Sequence, residues 1–120
     1  MMLRPSNHLN HIFLYKEYVD MRKSINGLSL LVENALDQDP FSDKLFVFCN
    51  KKRDKIKILY WERNGFVLWY KRLEKQRFKW PKHFTSDVVI LTGQEINWLL
   101  DGIDLSKLTP HQKLNYQTIS

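Results

Sequence analysis

The sequence predicts an α+β fold: one domain built on an antiparallel β-meander sheet of about four to six strands with two main helices. Three observations carry that prediction. Residues 21–36 and 93–103 place apolar side chains at helical spacing, and several short runs are continuously apolar or alternate in a period of two. An Asn-Gly pair, Asn64-Gly65, separates two of the alternating runs, and this dipeptide favours the positive φ angles of a tight hairpin turn. A chain of 120 residues with 43% apolar and 13% aromatic content suffices for one core and is too short for two.

The elements follow in order. "HIFLY", 11–15, reads as a strand. Asp20 then stands where a carboxylate accepts the orphan amide protons of a first helical turn. Behind it, "MRKSINGLSLLVENAL" sets Ile25, Leu28, Val32 and Leu36 on one face, with Leu31 and Ala35 beside them. Gly27 inside that helix costs about 1 kcal/mol relative to Ala, so packing must hold it. "DQDPFSD" ends the helix, because Pro40 cannot continue its hydrogen-bond ladder. "KLFVFCN", 44–50, is a nearly unbroken apolar strand. The basic loop "KKRD" leads into "KIKILYWER", and Asn-Gly joins that run to "FVLWYKRLE".

With Asn64 and Gly65 central, the hairpin register is fixed. Arg63 faces Phe66, and Glu62, Tyr60, Ile58 and Ile56 face Val67, Trp69, Lys71 and Leu73. Trp61, Leu59, Lys57 and Lys55 face Leu68, Tyr70, Arg72 and Glu74. The face with Ile56, Ile58, Val67, Trp69 and Leu73 reads as core. The other is apolar near the turn, and basic with Tyr70 at the open end. "RFKWP" reads as a further short strand, with Phe78 and Trp80 inward and Arg77 and Lys79 outward. "SDVVILT" is another strand candidate. "TGQE" is a capping box, Thr92 with Glu95, and opens a helix that buries Ile96, Leu99, Leu100 and Ile103 before Gly102 closes it. The domain spans 1–108, and 109–120 is a polar tail with the composition of a disordered segment.

Composition bounds the function classes. No window offers the ~18 uninterrupted apolar residues of a membrane span, and "MMLRPSNHLNHIF" lacks the form of a secretory signal. The one cysteine, Cys49, cannot form an internal disulfide and reads as a buried reduced thiol, which fits a cytoplasmic location. His8, His11, His83 and His111 are scattered without metal-ligand spacing. Asp20, Asp37, Asp39, Asp43, Asp54, Asp101 and Asp104 fall mostly at helix ends and turns, where capping accounts for them. No catalytic residue, metal or cofactor is expected, and a small metal-dependent nuclease is the enzyme alternative.

The signal above background is charge. Residues 50–82 hold twelve Lys and Arg against three acids, a balance of +9, while the other 87 residues carry seven bases against ten acids, or −3. Lysines that discourage edge-to-edge sheet pairing explain two or three of these cations, not a segment whose loops are basic too. Positive potential of this kind attracts phosphate polyanions. The candidate nucleic-acid contacts are Lys51, Lys52 and Arg53 in the loop, Lys55, Lys57 and Arg72 on the outer hairpin face, and Arg77, Lys79 and Lys82 beyond it. Arg53 and Arg63, near turns, are the better candidates for bidentate contacts. Trp61, Leu68 and Tyr70 form the candidate protein-interaction set, and Tyr70 or Trp61 could also stack on an unpaired base.

"YVDMRKSINGLSLLVE", "DPFSDKLFVFCNKKRDKIKILYWERNGFVLWYKRLEKQRFKWP" and "LTGQEINWLLDGIDL" resemble the accessory-protein family of IS sixty-six-type insertion sequences, the product of the second open reading frame, usually called TnpB. The resemblance runs in order from about Leu3 to about Leu108. It implies a bacterial mobile-element protein that works beside a separately encoded transposase, which carries the strand-transfer chemistry. The implied partners are transposon-end DNA, the transposase and other proteins of the element, with no membrane, and a homo-oligomer is compatible. It brings no catalytic residues, and it is distinct from the RNA-guided nuclease that shares the name.

Overall fold

Apolar runs at two periods assemble into a layered arrangement in a computed structural model, which describes residues 4–81, 86–107 and 117–119. The elements are β1 (Ile12–Tyr15), α1 (Ile25–Asn34), β2 (Leu45–Cys49), β3 (Lys55–Glu62), β4 (Gly65–Arg72), β5 (Val88–Leu91), α2 (Gly93–Leu100), a 3₁₀ turn (Leu105–Lys107) and β6 (Gln117–Ile119). The sheet order is β4-β3-β2-β1-β5-β6. β2, β3 and β4 form the antiparallel meander. β1 and β2 run parallel, with Phe13 beside Phe46, because α1 is the crossover that returns the chain to the same end of the sheet. The α+β class holds, with that one parallel pair inside a mostly antiparallel sheet.

Both sheet faces are covered, which explains why β2 reads as an unbroken apolar run: all five of its residues are buried. One face gathers Ile12, Leu14, Val47, Cys49, Ile56, Ile58 and Tyr60 under Ile96, Leu99 and Leu100 of α2, with Phe78 and Trp80. The other gathers Phe13, Phe46, Phe48 and Leu59 under Leu28 and Val32 of α1, with Leu36. The outer hairpin face near the turn is therefore packed against neighbours of α1, with Phe66 and Leu68 half-buried there.

Four sequence expectations are corrected. Asp20 does not cap α1; Ser24 occupies that position, and Asp20 instead accepts from the Arg22 amide (2.9 Å) and guanidinium (2.6 Å). "RFKWP" is not a strand. It crosses the end of the sheet as irregular chain, with the Phe78 amide donating to the Arg53 carbonyl (2.7 Å) and Trp80 Nε1 to the Lys16 carbonyl (3.0 Å), while Phe78 and Trp80 still point inward. Ile103, expected in the core, is 38% exposed.

The hairpin register is the fourth. The loop is Arg63-Asn64, not Asn64-Gly65: Glu62 pairs Gly65, Trp61 pairs Phe66, Tyr60 pairs Val67, Ile58 pairs Trp69 and Lys57 pairs Tyr70. A slip of two residues preserves side-chain parity, so the core face survives the correction. Residues 117–119, assigned to the polar tail, add to the sheet beside β5.

The capping box on α2 is present as expected: Glu95 N–H donates to Thr92 Oγ1 (3.2 Å) and Thr92 N–H to Glu95 Oε1 (2.9 Å). A strap, residues 4–9, lies over this helix start. The Gly93 amide donates to the Leu9 carbonyl (2.7 Å), Asn97 Nδ2 to the Pro5 carbonyl (2.6 Å), and Arg4 pairs Asp101 (2.9 Å). Gly93 is required by this approach, since a Cβ there would lie 1.7 Å from the Ser6 carbonyl oxygen.

Candidate nucleic-acid interface

The pairing directions bring one set of loops together. β1 and β2 end, and β3 begins, at the same edge as the end of β4. The β2–β3 loop, the β1–α1 connection and the chain after β4 thus meet there. Direct bonds tie them: Val19 N–H donates to the Cys49 carbonyl (2.8 Å), Leu73 N–H to Asp54 (2.7 Å) and Phe78 N–H to Arg53 (2.7 Å).

Asn50 builds the β2–β3 loop. Its Oδ1 accepts from the amides of Asp54 (3.1 Å) and Lys55 (3.0 Å), and its Nδ2 donates to Asp54 Oδ1 (2.7 Å). The Arg53 amide donates to the Asn50 carbonyl (3.0 Å), and Arg53 adopts the left-handed φ of 59° that closes such a loop. The tight brace leaves Lys51 and Lys52 exposed at its tip, with no ion pair or side-chain hydrogen bond among the described residues. Asp54 is held below the usual carboxylate range, first by the Asn50 amide and then by Lys55, whose Nζ lies 3.3 Å away.

A cleft of about 630 Å³ opens beside this loop. Asn50, Lys51, Lys52, Lys55 and Tyr70 line one side, and Tyr18, Val19, Asp20, Met21 and Arg22 the other. Asp20, bonded by the Arg22 side chain and backbone, has its pKa lowered to about 2, so it stays ionised and neutralises Arg22. Among the described residues, the cations at the cleft without an ion pair are Lys51 and Lys52.

The other sequence candidates divide by position. Arg77 and Lys79 are exposed on the chain that crosses this same end, and Arg72 is there too, paired to Glu74 at 3.0 Å. Lys57 is engaged internally: its Nζ donates to the carbonyls of Met21 (2.7 Å) and Lys23 (3.0 Å) and sits 5.7 Å from the centroid of the Tyr70 ring. It fastens the start of α1 to the hairpin rather than facing outward. Arg63 lies at the far tip of the hairpin, roughly 25 Å away along eight residues of strand, and does not join the cluster. Lys82 lies outside the described residues.

The proposed protein-interaction trio is also split. Tyr70 is 48% exposed in the cleft, whereas Trp61 and Leu68 are half-buried toward the hairpin tip. There Trp61 packs with Phe66 (ring centroids 5.0 Å apart) and with Phe41 (5.1 Å), which is 55% exposed. Sequence reading missed Phe41, and it missed Asn50, Tyr18, Met21 and Arg22. The cleft's far wall comes from a segment about thirty residues earlier in the chain, and no local pattern announces its return.

Cys49 is fully buried, and desolvation pushes its thiol up to about 12, so it offers no nucleophile. No group of three His, Cys, Asp or Glu among the described residues is placed to hold a metal ion. No helix among the described residues is long and apolar enough to cross a membrane.

A family model described as IS66 Orf2 like protein matches residues 10–110. Among curated proteins, the chain is 33% identical over 107 residues to uncharacterized protein y4jC of Sinorhizobium fredii (strain NBRC 101917 / NGR234), covering 89% of this chain and 90% of that one. It is 31% identical over 100 residues to uncharacterized protein y4hO of the same strain, covering 83% and 86%. No solved structure matches it.

Proposed function

Since the chain belongs to the IS66 Orf2-like protein family, we propose that it is a non-catalytic accessory of bacterial DNA transposition, whose basic sheet end binds nucleic-acid phosphates and helps assemble the transposase complex. The observation that carries this reading is the convergence of Lys51, Lys52, Arg53, Arg77 and Lys79 on one end of the sheet, with Lys51 and Lys52 displayed by a rigidly braced loop. Contacts of this kind position a protein on the backbone rather than read sequence, because lysine ammonium groups act as point charges.

Anisotropy titrations of labelled transposon-end DNA across salt test it. The expected plot of log affinity against log salt is steep, and replacing Lys51 and Lys52 by Ala reduces its slope by about two units. A flat plot, or an unchanged slope in the double variant, refutes the reading.

A second reading rests on the aromatic group at the hairpin tip. Phe41, Trp61 and Phe66 pack mutually with centroids 5.0–5.2 Å apart, yet Phe41 stays over half exposed. Aromatic anchors of this sort dock protein partners, and the transposase is the partner this reading names. Capture of the transposase that persists at high salt and is lost in Phe41→Ala supports it; salt-sensitive capture unaffected by that change refutes it. The two surfaces lie at opposite ends of the sheet, so both readings can hold together.

A further inference from the structure

We propose that the cleft accepts an unpaired nucleotide, its base against Tyr70 and its flanking phosphates at Lys51 and Lys52, so that the ligand class of this site is single-stranded nucleic acid or an opened duplex end. This rests on the phosphate-binding reading above and adds the state of the strand.

Three observations carry it. The first is shape. The β2–β3 loop and residues 18–22 form the two walls of a broad, open cleft of about 630 Å³. The bases of an intact duplex are stacked away from such walls, whereas those of an unpaired strand are free to lie against them.

The second is the distribution of chemistry. Tyr18, Val19, Met21 and Tyr70 furnish apolar and aromatic wall, and Lys51 and Lys52 furnish unneutralised charge beside it. Flat apolar surface flanked by cations is the composition that stacks bases without sequence preference.

The third is Tyr70 itself. It is 48% exposed on an edge strand, an unusual setting for a ring with no role in the core, and it is held in place. Its cross-strand neighbour Lys57 has its ammonium 5.7 Å from the ring centroid and is itself tied to the Met21 and Lys23 carbonyls. The ring is therefore preorganised at the cleft, so stacking on it immobilises little that was free.

The test compares a labelled oligo-dT of about twelve nucleotides with a duplex of the same length, by anisotropy at low salt, on wild-type protein, Tyr70→Ala and Tyr70→Phe. The expected results are at least ~5-fold tighter binding of oligo-dT, a loss of about 5- to 100-fold on oligo-dT in Tyr70→Ala, and near wild-type binding in Tyr70→Phe, with duplex affinity within ~2-fold throughout. A thermal melt establishes that Tyr70→Ala remains folded; should it not, the wild-type preference for oligo-dT over duplex decides, and its absence overturns the proposal. Equal affinity for both probes with no effect of Tyr70→Ala overturns the proposal and leaves the phosphate surface standing. A loss of duplex and oligo-dT binding alike in Tyr70→Ala also overturns it. Wild-type protein that binds neither probe removes the underlying reading as well.

Discussion

Replacing Asn50 by Ala removes the side chain that bonds both amides at the base of the lysine loop. Two N–H groups, of Asp54 and Lys55, lose their side-chain acceptor at 3.1 and 3.0 Å, and the Asp54 carboxylate loses a donor at 2.7 Å. At ~0.5–1.5 kcal/mol per hydrogen bond, and with water able to reach a half-exposed site, the net cost is about 2 kcal/mol. A chain of this length loses roughly 3–6 °C of Tm per kcal/mol, so the melt should fall by roughly 6–12 °C. The measurement is thermal unfolding by circular dichroism, with a denaturant titration to fix the free energy.

Asn50→Asp separates geometry from charge. It keeps the acceptor but places a second carboxylate against Asp54. In the wild-type protein the lowered Asp54 pKa stabilises the fold above the carboxylate's unfolded value, and that contribution is lost as pH falls through the folded one. In Asn50→Asp the paired acids raise one carboxyl pKa, so stability should rise as pH falls from 7 toward about 5, opposite in sign to the wild type. Asn50→Ala melting within a degree or two of wild type, or Asn50→Asp lacking this rise, refutes the account of the loop.

Three further outcomes can be checked on the same protein. Gly93→Ala drives a Cβ to within 1.7 Å of the Ser6 carbonyl, so the strap must lift; we expect a loss of more than about 2 kcal/mol and early proteolysis within residues 4–9. Arg63→Gly relieves a side-chain-bearing residue held at φ 55°, where the Asn64 amide bonds the Glu62 carbonyl at 2.6 Å, and should stabilise by about 0.5–1 kcal/mol in denaturant unfolding. Cys49, with its thiol near 12 and no exposure, should resist a thiol reagent at pH 8 and react only as fast as the chain opens.

Much of the fold was legible because its elements are strongly patterned. The capping box at Thr92, the helical face of Leu28, Val32 and Leu36, and the buried run of β2 each follow from local rules. The hairpin register was not, and the reason is physical. Turn chemistry favours Asn64-Gly65, but the observed register sets Ile58 opposite Trp69, Leu59 opposite Leu68 and Lys57 opposite Tyr70, where the other would set Ile58 opposite Lys71 and Lys57 opposite Arg72. Eight cross-strand pairs outweigh one turn, and Arg63 absorbs the unfavourable φ. The basic loop was legible as an exposed cluster of charge because its cations are contiguous in sequence. The wall carrying Tyr18 and Met21 was not, since only the parallel β1–β2 pairing returns it to that loop. Lys57 and Arg63 show the converse: sequence gives a cation's presence, while tertiary contacts give its direction.

The strap across α2 has a consequence for the order in which the chain completes itself. Arg4, Pro5 and Leu9 find their partners at Asp101, Asn97 and Gly93, more than eighty residues downstream. During vectorial synthesis residues 4–9 therefore wait until α2 has left the ribosome, so a segment made before β1 locks only after β5.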